Sequence, residues 1–327
     1  MVRSLSRAGW VCRARRSPPG KPGAPDPLAV HTFRVTEWTE AAFVVAAQQW
    51  IREQVPTAGE ITQPHVQPWA TVMRVDAEPE PVWFKALGAP YAWEPAVTTL
   101  VSGLSDRTLA PLATRDRWML LPDAGERLRE VVAHERSLAR WLDVLDAMAE
   151  VQLRVTPHVD TLLGLGVPDR RLEWLPKQYA DFVAQHHFDP RFIEATGLVE
   201  QLAAELAGYG IPATLQHDDL HDGQVFVKDG RHLIMDWGDS CITHPFFVLA
   251  VAVRGNISWG VDDVEDSEDI GPYLDAYLAR FGGAALRPAA EIAMRLGWAC
   301  RAVNGHVPGE DRSTLLRLQM FLDGRVD

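Results

Sequence analysis

Hydrophobic and polar residues follow two different periods in the first part of the chain. Apolar residues recur at helical spacing over 36–55, which predicts a helix. Two mainly apolar stretches, 70–75 and 82–87, then lie on either side of a turn rich in proline and glutamate. Stretches of this length and composition predict a β-hairpin. The return strand carries one polar residue, Lys85, among apolar neighbours.

The pattern then changes from strands to helices. Proline is tolerated in the first turn of a helix but not in its interior, so Pro95 places Glu94 at a helix start. A short apolar strand is predicted over Trp118–Leu121, and an apolar stripe over 132–153 predicts a helix. Further helices are predicted over 191–207, 245–253 and 271–322.

The stretch 214–240 departs from this helical pattern. Its short apolar runs, Val225–Val227 and Leu233–Met235, flank an Asp-Gly pair at 229–230. An Asp-Gly pair between β-like runs is a strong signal for a tight hairpin turn. The sequence therefore predicts a second β-hairpin inside the helical part of the chain.

This second hairpin brings distant polar residues together. Its ends fold back on each other, so we expect Asp219, Gln224 and Asp236 to converge at the edge of the sheet. Carboxylate and amide oxygens are the ligands that a hard cation prefers. The sequence therefore predicts a magnesium site.

The same stretch supports an alternative. His217, Asp219 and His221 have a spacing that suits a transition metal, as in a metal-dependent hydrolase. This alternative leaves Lys85 and the first hairpin without a role.

Composition and charge narrow the classes of partner. The net charge of −12 and the pI near 5.4 argue against nucleic acid or an anionic membrane as the main partner. An excess of acidic residues suits a cationic substrate, but it also occurs in proteins where it serves only solubility. No apolar run reaches the length of about 18 residues that predicts a membrane span. The three scattered cysteines, Cys12, Cys241 and Cys300, indicate a reducing, cytoplasmic location without disulfides.

The first 30 residues differ in composition from the rest. They are basic, rich in arginine, serine, proline and glycine, and lack the apolar core of a secretory signal. We expect residues 1–30 to be a disordered tail.

The order of the polar features along the chain favours phosphoryl transfer. That reaction needs a cation on the phosphates, oxygens that hold a metal, and a carboxylate for the substrate hydroxyl. Each feature alone has a simpler explanation. Lys85 fits a solvent-facing lysine on an edge strand, and Glu94 fits a carboxylate stabilised by the helix dipole.

Several segments together resemble one family. The stretch QHDDLHDGQVFV, followed by LIMDWGDS, is similar to the signature of the aminoglycoside phosphotransferase family of small-molecule kinases. The segments QPWATV, VWFKAL and WMLLPDAG also look like parts of that family. The resemblance implies an α+β, bilobal protein-kinase-like fold. Residues 31–121 would form a small β-rich N-lobe, and residues 122–327 a larger, mainly helical C-lobe.

The resemblance also implies a role for individual residues. Asp219 would be the catalytic base, and Asp236 with Gln224 would hold Mg²⁺. Lys85 would contact the phosphates of ATP and pair with Glu94. His217 would support the loop, and His221 would either orient the loop or touch substrate. The backbone around three further residues would receive the adenine: Leu120, Leu121 and Asp123.

Two departures from the family pattern are visible. Position 224 carries glutamine where the family has asparagine, and the extra methylene shifts the amide oxygen by about one bond. A catalytically impaired, nucleotide-binding pseudokinase is therefore an alternative. No G-x-G-x-x-G precedes Lys85, so backbone amides and Thr71 would cover the phosphates.

The resemblance implies an acceptor with a hydroxyl group, such as an aminoglycoside-like antibiotic, an amino alcohol or a sugar. The candidate contacts are acidic and aromatic residues near the motif: Asp239, Trp259, Asp262, Asp263, Glu265 and Trp298. The acidic run over 262–269 fits a cationic acceptor, and it equally fits a solvated loop.

Overall fold

The structure is a computed structural model, and it describes residues 35–135, 137, 139–253 and 270–324. The predicted tail over 1–30 and the acidic run with Trp259, Asp262, Asp263 and Glu265 lie outside the described residues. The predicted boundaries of the two lobes, 31–121 and 122–327, stay predictions.

The N-terminal part is a five-stranded antiparallel sheet with the strand order β1-β2-β3-β5-β4. Its strands are β1 (Ile61–Val66), β2 (Ala70–Val75), β3 (Val82–Leu87), β4 (Ala113–Arg115) and β5 (Trp118–Pro122). The predicted first hairpin and the strand ending near 121 are confirmed. Strand β1 was not predicted because it contains Pro64 and polar residues. Proline is acceptable there, since β1 lies at the edge of the sheet.

Helix α1 (Ala41–Gln54) packs on this sheet and confirms most of the helix predicted over 36–55, whose first residues belong to a separate 3₁₀ helix, Val35–Thr39. Trp50 of α1 packs edge-to-face against Phe84 of β3 and Trp118 of β5, with ring centroids 5.9 and 5.8 Å away. Aromatic pairs in this geometry stabilise a core by about 1 kcal/mol beyond the area they bury. The cluster fixes the helix over the central strands.

A three-stranded sheet with the order β6-β8-β9 links the first sheet to the helical part. It contains β6 (Glu126–Arg127), β8 (Val225–Lys228) and β9 (Arg231–Ile234). The turn residues Asp229 and Gly230 have positive φ angles of 51° and 75°. Positive φ at both central residues is the geometry of a tight hairpin turn. The predicted second hairpin is therefore confirmed.

The remaining chain is mainly helical and surrounds the larger hydrophobic core. Its helices are α2 (Glu94–Leu104), α3 (Leu128–Glu135), α4 (Ala139–Val155), α5 (Val159–Gly164), α6 (Leu175–Gln185), α7 (Pro190–Glu194), α8 (Thr196–Ala207), α9 (Leu249–Ala252), α10 (Gly271–Leu278), α11 (Arg287–Asn304) and α12 (Asp311–Asp323). Two short strands, β7 (Thr214–Gln216) and β10 (Cys241–Thr243), pair beside the predicted motif.

Three helix predictions differ from the structure in detail. The stripe over 132–153 belongs to two helices, α3 and α4, and the stretch 191–207 also belongs to two, α7 and α8. The stretch 245–253 begins as a 3₁₀ helix, Pro245–Val248, before the short helix α9. In the described part of the chain, no helix is both long and apolar enough to span a membrane.

Candidate active site

Lys85 lies at the centre of the first sheet and joins it to the second hairpin. Strand β3 pairs with β2 on one side and β5 on the other, so the edge-strand explanation of Lys85 is wrong. The Nζ atom donates to both carboxylate oxygens of Glu94, at 2.6 and 2.8 Å. It also donates to Oδ1 of Asp236 at 2.6 Å. Three residues that are far apart in the sequence thus meet at one ammonium group.

Glu94 is fully buried at the start of α2. Burial alone would lower the pKa of Lys85, but the carboxylates of Asp236 and Glu94 raise it above its usual range. Gly238 allows this arrangement, because a Cβ atom there would lie 2.8 Å from Oε2 of Glu94. The glycine in the Asp236-Trp-Gly segment therefore makes room for the carboxylate that holds Lys85.

Asp219 lies on the loop between β7 and β8 and faces three donors. Its Oδ1 atom accepts a hydrogen bond from Nη2 of Arg301. Its Oδ2 atom accepts one from Nε2 of Gln224 at 3.1 Å, and Nε2 of His221 lies 3.5 Å away. Burial would raise the pKa of Asp219, but Arg301, and then His221, hold it below its usual range. The carboxylate is therefore oriented and ionised.

Two aspartates of the site, Asp218 and Asp236, have an unusual backbone conformation. Asp218 and Asp236 have φ angles of 62° and 67°, in the left-handed region that non-glycine residues rarely adopt. Asp218 is buried, and its carboxylate accepts hydrogen bonds from Gln216 at 3.1 Å and from Asn304 at 2.9 Å. Such backbone conformations persist where surrounding contacts fix them, and they cluster at active sites.

The two histidines of the motif stabilise the loop. Nε2 of His217 lies 2.8 Å from the carbonyl oxygen of Met235, and Nδ1 accepts from the backbone N–H of Asp219 at 3.3 Å. Nδ1 of His221 accepts from the N–H of Gly223 at 2.9 Å. Burial would lower the pKa of His221, but Asp219 and Asp222 raise it to about 9.

These contacts give no support to the metal-dependent hydrolase. Both ring nitrogens of His217 are engaged with the backbone, so His217, Asp219 and His221 do not converge as a set of ligands. Across residues 35–135, 137, 139–253 and 270–324, no group of three or more histidine, cysteine or acidic side chains is arranged to hold a metal ion.

Gln224 and Asp236 have oxygens that fit Mg²⁺. The amide nitrogen of Gln224 donates to Asp219, which leaves its amide oxygen without a hydrogen bond to any described residue. Asp236 uses one oxygen on Lys85, and 39% of its side chain is exposed. Mg²⁺ binds through one or two protein oxygens while it keeps several waters. The two residues are adequate for such a site.

The other predicted nucleotide residues lie along the same sheets. Leu120 and Leu121 are in β5, and Oδ1 of Asp123 accepts from Nε1 of Trp83 at 3.0 Å. Thr71 is fully buried in β2, and its hydroxyl donates to the carbonyl oxygen of His65 at 2.8 Å. Their contacts with a nucleotide stay predictions.

The predicted substrate residues are only partly described. Asp239 lies in a 3₁₀ turn beside Asp219, and burial, then the charge of Asp219, raises its pKa to about 7. Trp298 is 3% exposed within α11. Trp259, Asp262, Asp263 and Glu265 are outside the described residues.

Helix α11 contributes residues that the sequence did not predict. Arg301 is 6% exposed and ion-paired with Asp219. Asn304, one turn later, donates to Asp218 and to the carbonyl oxygen of Asp239, at 2.9 and 2.8 Å. The sequence gives one indication that Arg301 is special, because it is the single charged residue among small and apolar residues from 296 to 303. Its partners are 82 and 83 positions earlier, so the sequence alone does not identify them.

Comparisons with known proteins agree with this geometry. The model of the phosphotransferase enzyme family APH matches residues 67–292. No curated protein matches the chain by sequence. An ethanolamine kinase of Plasmodium vivax has 10% identity and a TM-score of 0.60, over 87% of this chain and 89% of its own. The choline kinase LicA of Streptococcus pneumoniae has 12% identity and a TM-score of 0.59, over 87% and 99%.

A third similar structure is the GDP complex of aminoglycoside 2'-phosphotransferase-IIIa. It has 12% identity and a TM-score of 0.59, over 86% of this chain and 97% of its own. At these identities the structures show the fold, which is the expected bilobal kinase-like fold, and the family model shows the family. The chain therefore belongs to the phosphotransferase enzyme family APH.

Proposed function

We propose that the chain transfers the γ-phosphoryl group of ATP to a hydroxyl group of a small molecule, with Mg²⁺ as cofactor. One observation carries the proposal: Lys85 of the first sheet meets Asp236 of the second hairpin at 2.6 Å. This contact supports the proposal, because it joins the cation proposed for the phosphates to one of the two residues proposed to hold the metal.

Asp219 has the position and the charge to hold the acceptor. Its carboxylate accepts a hydrogen bond from the acceptor hydroxyl, which directs the oxygen towards the γ-phosphorus atom. As the new O–P bond forms and the bond to ADP breaks, the hydroxyl proton passes to Asp219. The lowered pKa of Asp219 makes it a weak base. A weak base is sufficient, because phosphoryl transfer proceeds through a loose transition state that needs little deprotonation.

Asp236 and Gln224 would hold Mg²⁺, which neutralises the charge of the phosphates. Lys85 would bind the phosphates as a point charge, with Glu94 keeping it in place. Leu120, Leu121 and Asp123 would receive the adenine, and Thr71 would support the strand that covers the phosphates.

The substitution Asp219→Asn tests the proposal. We expect the rate of acceptor-dependent ADP release to fall by about 10²- to 10⁴-fold, the usual contribution of a positioned base. ATP binding, measured by calorimetry, should be nearly unchanged, because Asp219 is not among the residues proposed to bind ATP.

Asp229→Asn is the matched control for this experiment. Asp229 lies in the turn of the second hairpin at φ 51°, a conformation that asparagine also adopts readily. We expect this variant to keep wild-type activity. Undiminished activity in Asp219→Asn would overturn the assignment of the base.

A further inference from the structure

Arg317 of α12 is a partly buried cation that contacts backbone carbonyl groups. Its Nη1 atom donates to the carbonyl oxygens of Gly305 at 2.7 Å and Arg301 at 3.4 Å. Within the described part of the chain, no carboxylate lies within 4.0 Å of its guanidinium. Its Nε and Nη2 atoms have no hydrogen bond to a described residue. Burial, and then the charge of Arg301, lowers the pKa of Arg317.

Arg317 is connected to the proposed base through Arg301. The backbone of Arg301 holds Arg317, while the guanidinium of Arg301 holds Asp219. The charges of Asp218, Asp239 and Asp219 all act on Arg317. The charge of Arg317 also acts on Tyr91, which precedes α2.

The lack of a side chain at Gly305 leaves space for the guanidinium of Arg317. A Cβ atom at residue 305 would lie 2.6 Å from Nη1 of Arg317 and 3.4 Å from its Cζ atom. The φ angle of Gly305 is −100°, which any residue adopts. A glycine is therefore needed here for space and not for backbone conformation.

Arg301 and Arg317 differ in the groups that compensate their charges. Arg301 forms ion pairs with Asp219 and Asp218. The partly buried guanidinium of Arg317 contacts two carbonyl oxygens at a helix end, and the carboxylates that stabilise its charge act from more than 4.0 Å away. A planar guanidinium with free donors is the side chain best suited to a carboxylate or phosphate.

We propose that Arg317 binds an anionic group of the acceptor, so that the substrates of this kinase are small hydroxylated acids or phosphate esters. The inference rests on the proposed function. It replaces the cationic acceptor that the acidic composition suggested, because the guanidinium of Arg317 has no carboxylate within 4.0 Å among the described residues and keeps two nitrogens without a hydrogen bond to them.

The test uses acceptors matched in shape and different in charge. One set is gluconate, glucose and glucosamine, and another is glycerate, glycerol and 3-aminopropane-1,2-diol. ADP release and the mass of the product are measured with ATP and Mg²⁺ for the full chain and for Arg317→Gln. We expect the anionic member to be preferred, and Arg317→Gln to raise its KM by about 10- to 100-fold, the factor for one charged hydrogen bond.

Three further variants define what Arg317 does. Gly305→Ala should raise the same KM, because the methyl group displaces the guanidinium without removing its charge. Arg312→Gln changes an exposed arginine of the same helix and should leave every KM within about twofold, as expected for a surface change. Arg301→Gln should lower the melting temperature because it leaves two carboxylates uncompensated, whereas Arg317→Gln should not.

Several outcomes would overturn the inference. Preference for the neutral or cationic acceptors, or an equal loss for all three charges, would mean that Arg317 only caps α11. An increase in the KM of ATP with every acceptor would mean that Arg317 binds the γ-phosphoryl group instead. If no acceptor of any charge is phosphorylated, the proposed function itself fails, and the inference fails with it.

Discussion

Gln224 is the residue on which the catalytic competence of the site depends. Its longer side chain does not withdraw from the site, because Nε2 lies 3.1 Å from Asp219. Its backbone is also fixed, since the carbonyl oxygen accepts from the N–H of Met235 at 2.9 Å. The extra methylene is therefore accommodated, and the amide oxygen has no hydrogen bond to a described residue.

We predict that Gln224→Asn keeps activity within about tenfold of wild type, since one methylene changes only the reach of the amide. Gln224→Ala should lower kcat and raise the Mg²⁺ concentration needed for half-maximal rate, because both the metal oxygen and the contact with Asp219 are lost. The measurement is ADP release over a range of Mg²⁺ concentrations.

The pseudokinase alternative predicts that Gln224→Asn is more active than the wild type. If the wild-type chain binds ATP without transferring phosphate, and Gln224→Asn gains activity, then glutamine at 224 is an inactivating residue. A large gain of this kind would contradict the competence that we infer from the contacts of Gln224.

At the scale of elements, the start of helix α2 lies in close contact with the 3₁₀ turn Trp237–Asp239. Gly238 in the turn faces Glu94 at the start of α2. Because Glu94 is fully buried and both of its carboxylate oxygens accept hydrogen bonds from the ammonium of Lys85, it has little room to move. The contact couples the placement of α2 to the position of Lys85.

We predict that Gly238→Ala lowers kcat/KM by about 10²-fold, the loss expected when a catalytic contact is displaced by about 1 Å. The added Cβ atom would lie 2.8 Å from Oε2 of Glu94, so the pair with Lys85 must shift. The measurement is steady-state kinetics with the acceptor and ATP varied in turn.

Gly103→Ala is the matched control, since it is the same substitution at the other end of α2. Nothing lies within 4 Å of a Cβ atom at residue 103. Alanine within a helix is more favourable than glycine by about 1 kcal/mol, so this variant should be as active as wild type and slightly more stable. Equal kinetics in the two variants would show that the contact with Glu94 has no catalytic role.

At the scale of the whole molecule, the response to acid depends on a buried histidine. His244 is 2% exposed, and its Nδ1 accepts from the N–H of Phe246 at 3.2 Å. Burial lowers its pKa to about 3. The folded state therefore keeps His244 neutral, while the unfolded chain protonates it below a pH of about 6.5. Its contribution to stability is complete above that pH and is lost as the pH falls towards 3.

We predict that the free energy of unfolding falls between pH 7 and pH 5 by about 2 kcal/mol more in the wild type than in His244→Gln. Urea denaturation at the two pH values measures this difference. His134→Gln, at an exposed position, is the control and should follow the wild type. Identical pH dependence in His244→Gln and the wild type would contradict a neutral, buried His244.

The hydrophobic pattern was sufficient for the elements that have a strong local signal. Both hairpins, the start of α2 at Glu94 and the helical character of the larger part are visible because period and turn chemistry are local properties. Strands β1, β4, β7 and β10 were not predicted. They are short or polar, and they are strands only because a neighbouring strand pairs with them.

The sequence by itself determined the family resemblance, the two-part architecture and the proposed central residues of the site, Asp219, Gln224 and Asp236. These are linked by one short hairpin, so sequence distance is a fair guide to spatial distance. The tertiary structure added that Lys85 also pairs with Asp236, that Arg301 of α11 pairs with Asp219, and that Arg317 of α12 contacts the carbonyl oxygen of Arg301. Contacts over such separations depend on how helices pack, and helix packing follows from the summed burial of many apolar residues, which no local pattern specifies.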